Sequence, residues 1–180
     1  MVTKSSKLVD SPVEALTLDE VRCFLEVTPC PSCQTGPLVF DGPSGPTFTC
    51  QACEGTGEIE FSVEYPLPDT IDPDIPHINP TEDPSQLVDL NQWLGLYYLH
   101  AEAADNHPTS ATEHHNHQLW AAACLAEALK FYDVDEELPK PETCWTETSQ
   151  AALENHPDVF NRSALVDLRT KLPPLPEWPE

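Results

Sequence analysis

Basic residues are scarce in this chain of 180 residues, which has only 8 Lys and Arg against 31 Asp and Glu. The formal net charge is −23, and no Lys or Arg stands between Arg22 and Lys130. Because the negative electrostatic field of such a chain repels the phosphate backbone of nucleic acid, nucleic acid is not expected as a partner. Solubility or adaptation to salt explains this acidity most simply. Steering of a basic protein partner and mimicry of nucleic acid are two further interpretations.

Long apolar runs and a signal sequence are also missing. No stretch approaches the roughly 20 apolar residues that a membrane-spanning helix needs, so no membrane partner is expected. The first residues, MVTKSSKLVD, lack the apolar core of a secretory signal. These absences predict a soluble, cytoplasmic protein.

Cysteines are the most informative residues that are present, and four of the seven form two CxxC pairs. The pairs are CPSC at 30–33 and CQAC at 50–53, with 16 residues between them. This spacing is typical of a structural zinc site, in which four thiolates surround Zn²⁺ tetrahedrally. A redox CxxC pair, which would lead into a helix, and a chance spacing are the alternatives. We predict one structural zinc per chain, held by Cys30, Cys33, Cys50 and Cys53.

The residues between and after the two pairs are typical of short strands. An apolar run at 37–40 precedes turn residues at 41–46, and residues 47–50 return the chain to the second pair. Apolar and mostly acidic residues then alternate over 59–65, which predicts a half-buried strand. Because this β-hairpin has so few apolar side chains, we expect it to be unfolded without metal.

The second pair continues as CQACEGTG at 50–57, which resembles the CxxCxGxG repeat in the cysteine-rich zinc domain of DnaJ-type co-chaperones. In the first pair the glycine, Gly36, is displaced by one position, and Pro37 replaces the last glycine. Two repeats hold one zinc in that family, so the resemblance implies one zinc on the four cysteines. It also implies that the glycines free backbone N–H groups to point at the sulfurs. The resemblance covers about 30 of the 180 residues and implies a metal-built platform, not a chaperone activity.

Composition and periodicity divide the chain into five parts and predict an α+β fold. The small zinc hairpin is expected to be followed by an acidic, mainly α-helical domain. The parts are an N-terminal segment with a short helix (1–28), the zinc hairpin module (29–65), a Pro- and acid-rich linker (66–84), the helical domain (85–172) and a Pro-rich tail (173–180).

Apolar residues at spacings of three and four predict the helices. The first helix spans 17–27 with Thr17 as its N-cap, after a flexible start. Two long helices, 86–104 and 112–132, have a short polar connection, which favours an antiparallel pair. Two shorter helices are predicted at 146–155 and 163–172. We expect six residues to form a core between the long helices, namely Trp93, Leu94, Tyr97, Trp120, Leu125 and Leu129.

Histidines near the junction of the long helices are the candidates for catalysis. His114 and His117 share a face of the second long helix, and in an antiparallel pair His100 can reach the same place. Such a set can bind Zn²⁺, Ni²⁺ or Fe²⁺. The spacing matches neither HExxH nor a paired ExxH motif, so a solvated polar surface is the favoured interpretation. We expect no deep pocket to collect all three rings.

Two functional hypotheses follow from these residues. The first is a non-enzymatic zinc-binding protein-interaction module, with a structural zinc and an acidic surface for a protein partner, for which a basic protein is the candidate. The alternative is a metal-dependent enzyme that uses His100, His114 and His117, with the four-cysteine zinc purely structural. We favour the first, because the cysteines have a recognised structural spacing and the histidines have no recognised catalytic one.

Overall fold

The computed structural model divides the chain into two compact units, residues 1–67 and 68–180. The fold is mixed, with five α-helices and two small sheets among the described residues. None of these helices combines the length and apolar character needed to cross a membrane. The predicted turn at 41–46 lies outside the described residues, which are 6–7, 11–40, 47–68, 72, 74–106 and 109–178.

The first unit contains one helix, α1 (Leu18–Val27), and six short strands among its described residues. In chain order the strands are β1 (Ser6–Lys7), β2 (Val13–Ala15), β3 (Leu38–Phe40), β4 (Thr47–Cys50), β5 (Thr56–Glu58) and β6 (Phe61–Val63). One sheet has the order β1-β5-β4-β3, and the other pairs β2 with β6. Strands β3, β4 and β5 are antiparallel, whereas β1 is parallel to β5.

Strands β3 and β4 are the two arms of the predicted hairpin. Leu38 lies opposite Cys50, and Phe40 lies opposite Phe48. Leu38 and Phe48 are each only 1% exposed, whereas Val39 lies on the exposed side of the same strand. The alternation therefore buries one face of the hairpin and brings Cys50 to the buried end of β4.

The strand predicted over 59–65 is present but shorter, because β6 covers only Phe61–Val63 and the chain changes sheets at Ile59 and Glu60. Strand β5 pairs with β4 and β1, whereas β6 pairs in parallel with β2. Ile59 is 1% exposed, and the carbonyl of Glu60 accepts from the backbone N–H of Val13 at 2.8 Å. The first apolar residue of the alternation, Ile59, is therefore buried between the two strands and not within β6. Ser6 and Lys7, expected to be flexible, pair with Gly57 and Glu58.

Helix α1 begins at the predicted cap. The hydroxyl of Thr17 accepts from the backbone N–H of Glu20 at 3.1 Å, and the carboxylate of Glu20 accepts from the N–H of Leu16 at 2.6 Å. Together these bonds satisfy two backbone donors at the helix start. Val21 and Leu25 are fully buried, so this helix contributes to the core of the first unit.

The second unit contains four helices among its described residues. They are α2 (Leu90–Asn106), α3 (Ala111–Leu129), α4 (Glu147–Asn155) and α5 (Arg162–Arg169), with 3-10 turns at Pro141–Thr143 and Pro157–Phe160. Helix α3 ends three residues earlier than predicted. Helices α2 and α3 pack against each other, with His100 beside His117 and the Ala104 carbonyl beside His114.

Helix α2 begins later than predicted. The Ser85 hydroxyl accepts from the N–H groups of Leu87 and Val88, so it closes a turn before the helix. The actual cap is Asp89, whose carboxylate accepts from the N–H of Gln92 at 3.0 Å, while the Gln92 amide oxygen accepts from the N–H of Asp89. This reciprocal pair is a capping box with Asp in the place of Ser.

The six predicted core residues of the helical unit are buried to different degrees. Trp93 and Leu125 are fully buried, Leu94 is 2% exposed and Tyr97 is 7% exposed. Trp120 and Leu129 are only half-buried. Much of the remaining interior of α3 consists of small alanines, which allow close approach to α2.

The end of the Pro-rich linker packs against the helical unit. Pro76, His77 and Ile78 are buried. Two backbone carbonyls of the linker, those of Asn79 and Thr81, accept from Lys130 Nζ at 3.4 and 2.7 Å. Contacts of this kind hold a segment whose described residues form no helix or strand.

Asp89→Ala should destabilise the helical unit by about 2–4 kcal/mol. The carboxylate is fully buried and also accepts from the hydroxyls of Thr146 and Ser149 at 3.1 and 2.9 Å, so its loss leaves several donors unpaired. Urea unfolding followed by helical circular dichroism measures the change. Glu102→Ala, which removes an exposed carboxylate from the same helix, should change stability by less than about 0.5 kcal/mol. Equal effects of the two substitutions would contradict this role for Asp89.

Candidate metal centre

The sulfurs of Cys30, Cys33, Cys50 and Cys53 converge in the first unit. All four lie within 4.8 Å of one another, and no other group of three or more metal-ligating side chains in the described part of the chain does so. The Cys30–Cys53 and Cys33–Cys50 sulfur distances are 3.8 and 3.6 Å. A tetrahedron of sulfurs around Zn²⁺ has edges of about 3.5–4 Å. The cysteine cluster is therefore an arrangement that can hold a metal ion and is consistent with a zinc site.

Both CxxC pairs have the same backbone turn. The N–H of Gln34 donates to the carbonyl of Cys30 at 2.8 Å, and the N–H of Glu54 donates to the carbonyl of Cys50 at 2.9 Å. Gln34 and Glu54 have φ values of 63° and 56°, in the left-handed region that ordinary side chains avoid. Each turn thus reverses the chain directly after its second cysteine and aims both sulfurs of the pair to one side.

Two glycines stand against the sulfurs, and at Gly36 a larger residue would not fit. A Cβ on Gly36 would lie 2.5 Å from Cys50 Sγ and 2.9 Å from the backbone nitrogen of Ala52. A Cβ on Gly55 would lie 3.2 Å from Cys53 Sγ. The displaced glycine of the first pair therefore has a steric role across the cluster, next to the sulfur of the other pair.

Hydrogen bonds to sulfur favour the thiolate form in the first pair. The hydroxyl of Thr35 lies 3.4 Å from Cys33 Sγ. Together with the backbone N–H of Thr35 it lowers the pKa of Cys33 to about 6. Backbone N–H groups of Cys33 and then Ser32 lower the pKa of Cys30. Thiolates are the form that binds a metal ion, so these donors prepare the first pair for it.

In the second pair, the pKa of the Cys53 thiol is raised. The backbone N–H of Gly55 acts to lower the pKa of Cys53, but Cys50, burial and the other two sulfurs outweigh it and raise the pKa to about 12. Packed sulfurs cannot all carry negative charge without a counter-ion. A divalent cation among them removes this conflict, which is how such a donor set favours metal over four free thiols.

Burial differs among the four sulfur-bearing residues. Cys30 and Cys50 are buried, Cys33 is half-buried and Cys53 is exposed. Cys53 is therefore the member of the cluster that is most open to solvent. The other three cysteines, Cys23, Cys124 and Cys144, are fully buried and stand outside the cluster, as expected for small apolar side chains.

The structure separates the three candidate histidines. His100 Nδ1 and His117 Nδ1 lie 3.4 Å apart, whereas His114 Nδ1 lies 2.8 Å from the carbonyl oxygen of Ala104. His100 and His117 meet, whereas His114 does not join them. We call these two residues the histidine pair. Burial, and then His117, lower the pKa of His100 to about 4.

The histidine pair lines a cavity of about 400 Å³ in the second unit. Trp120 stacks on His100 with ring centroids 5.6 Å apart, and Asp74 also contributes to the wall. Sequence patterns did not assign either residue to this site. Trp120 has the helical spacing of a core residue, and Asp74 belongs to a linker without periodicity.

Compared with known protein families, curated proteins and solved structures, the chain matches none of them.

Gly36→Ala should weaken the metal centre, because its new methyl group collides with the Cys50 sulfur and the chain at Ala52. Gly95→Ala is the matched control, since a Cβ there meets no atom within 4 Å and the residue lies in the middle of α2. It should stabilise the helical unit by about 0.5–1 kcal/mol. Metal affinity, measured by competition with a coloured chelator, should fall for Gly36→Ala alone. An unchanged affinity would contradict the steric role of Gly36.

Proposed function

We propose that the chain is a non-enzymatic protein-interaction module whose first unit is built around one structural zinc. The convergence of four cysteine sulfurs carries the proposal. Four protein ligands fill the tetrahedral positions of Zn²⁺ and leave none open for water or substrate, which is the pattern of structural rather than catalytic zinc. Four thiols available to a metal also fit a reducing compartment, in accord with a cytoplasmic location.

We propose that folding of the first unit depends on the metal. Its strands have two to four residues each, and the buried apolar residues between the two cysteine pairs are few. Units of this size commonly need a metal or disulfides to offset the entropy of the ordered chain. We infer that zinc binding and folding of residues 30–57 are one event.

The similarity to the CxxCxGxG repeat of DnaJ-type cysteine-rich domains supports the idea of a platform. Gly55 follows Cys53 as that repeat requires, and Gly36, although displaced, still lies against a sulfur. We propose on this basis that the metal holds a small β surface in shape for recognition of another protein. The antiparallel pair α2–α3 forms the body of the acidic second unit in this proposal.

Charge favours a basic protein as the partner. Among the described residues, Arg22, Lys130 and Lys140 form ion pairs with Asp19, Glu127 and Asp133. The chain has a net charge of −23, so its acidic residues far outnumber the basic ones that could pair with them. A field of this size attracts basic partners over about 10 Å at moderate salt.

The enzyme alternative has less support. Its third residue, His114, is engaged with the Ala104 carbonyl at 2.8 Å, away from the histidine pair. The cavity beside the pair has no recognised catalytic arrangement among the described residues, so no reaction is proposed there.

Cys53→Ser should lower zinc affinity by more than about 100-fold, because a hydroxyl does not ionise to replace the thiolate. Cys53 is exposed, so the substitution leaves no core cavity to confuse the result. Elemental analysis of the untagged protein measures the zinc, and hydrogen exchange of β3–β5 measures the fold. Cys124→Ala, a cysteine outside the cluster, should keep one zinc per chain. If Cys53→Ser also retains its zinc, the structural-zinc proposal fails.

The interaction surface is tested with peptides of defined charge. A Lys- and Arg-rich peptide should bind the zinc-loaded chain in 50 mM salt, and binding should weaken steeply at higher salt. An acidic peptide of equal length is the control. Removal of zinc should reduce the binding if the platform takes part. Binding that is absent at low salt, or equal for the two peptides, would contradict a basic partner.

A further inference from the structure

We propose that the histidine pair, His100 and His117, is a second metal site that holds an exchangeable divalent ion such as Zn²⁺ or Co²⁺. It lies in the second unit and uses none of the residues of the cysteine cluster. The inference therefore does not depend on the structural zinc.

The separation of the two ring nitrogens matches that at a shared ion, whereas the ring centroids, 5.7 Å apart, aim the nitrogens at each other, so both rings must turn when the ion binds. His100 Nδ1 and His117 Nδ1 lie 3.4 Å apart. Two imidazole nitrogens at 2.0–2.1 Å from a tetrahedral ion are separated by about 3.3–3.4 Å. Without metal the same distance lets one nitrogen donate to the other. When an ion binds, each ring carries its single proton on Nε2, so no proton is released from a neutral pair.

Neighbouring residues keep the two rings close together. Trp120 stacks on His100 with an interplanar angle of 27°, and both residues of the pair are half-buried. The pair also connects α2 to α3, the two helices that form the body of the second unit. Prior ordering of both ligands reduces the entropy lost when the ion binds.

The surrounding charge favours a cation. The walls of the cavity include Glu113 and Asp74 and, among the described residues, no Lys or Arg. The hydroxyl and then the backbone N–H of Thr109 donate to Glu113 and lower the pKa of its carboxyl. Its negative charge also offsets the positive end of helix α3, where it lies in the first turn.

The composition of the site predicts which ions it takes. Imidazole suits Zn²⁺, Co²⁺, Ni²⁺ and Cu²⁺, whereas Mg²⁺ and Ca²⁺ prefer oxygen ligands. Only two protein atoms converge, and water in the cavity completes the coordination. Fewer protein ligands mean weaker binding than at the cysteine cluster, so this ion exchanges readily.

Equilibrium dialysis against Co²⁺ of the untagged chain that holds one zinc per molecule, with no free zinc present, tests the proposal. We expect one Co²⁺ per chain beyond the zinc, without the thiolate-to-cobalt absorption that would mark displacement at the cysteine cluster. His117→Gln should lower Co²⁺ affinity about tenfold or more. His115→Gln, an exposed histidine on the same helix, is the control and should leave affinity unchanged. Equal losses in the two variants would overturn the site.

A second measurement uses the unmodified chain and does not depend on the folding of a variant. Because Trp120 stacks on His100, paramagnetic Co²⁺ should broaden or shift its indole N–H resonance in proportion to the bound ion. Saturating Co²⁺ that leaves the Trp120 resonance unchanged would overturn the proposal.

Discussion

Four sulfur atoms within 4.8 Å of one another set the main constraint on the first unit. Thiolates at this distance repel, so the arrangement is stable only with shared protons or a cation between them. The backbone around the cysteines is shaped to bring the four sulfurs together. Gln34 and Glu54 adopt left-handed φ values at the same place in each turn, and Gly36 leaves room for the Cys50 sulfur. The convergence of the ligands explains the backbone strain at Gln34 and Glu54. It also explains why a glycine stands at position 36 although its φ is not positive.

The second unit is held together in a different way. Its long helices bury Trp93 and Leu125 completely, and Asp89 connects the start of α2 to the start of α4 through Thr146 and Ser149. The two units thus differ in what lies at their centre: four converging sulfurs in the first and packed helices in the second.

Local patterns were enough to predict several features. The spacing of the cysteines, the arms of the hairpin and the Thr17 cap all depend on residues within one short segment. The pairing of β2 with β6 could not be predicted, because no local pattern indicates which distant strand is the partner. The start of α2 was misplaced because Ser85 and Asp89 are both good caps: Ser85 closes the turn before the helix, and Asp89 caps the helix itself through Gln92. The meeting of His100 with His117 likewise required the register of two helices.

X-ray absorption at the zinc edge, on untagged protein purified without added metal, tests the central claim most directly. Zinc in the cysteine cluster should show four sulfur neighbours at about 2.3 Å and no nitrogen or oxygen in the first shell. We expect this four-sulfur spectrum from the full chain, with one zinc per molecule. Protein that is folded yet contains no zinc, or zinc surrounded by nitrogen and oxygen, would contradict it.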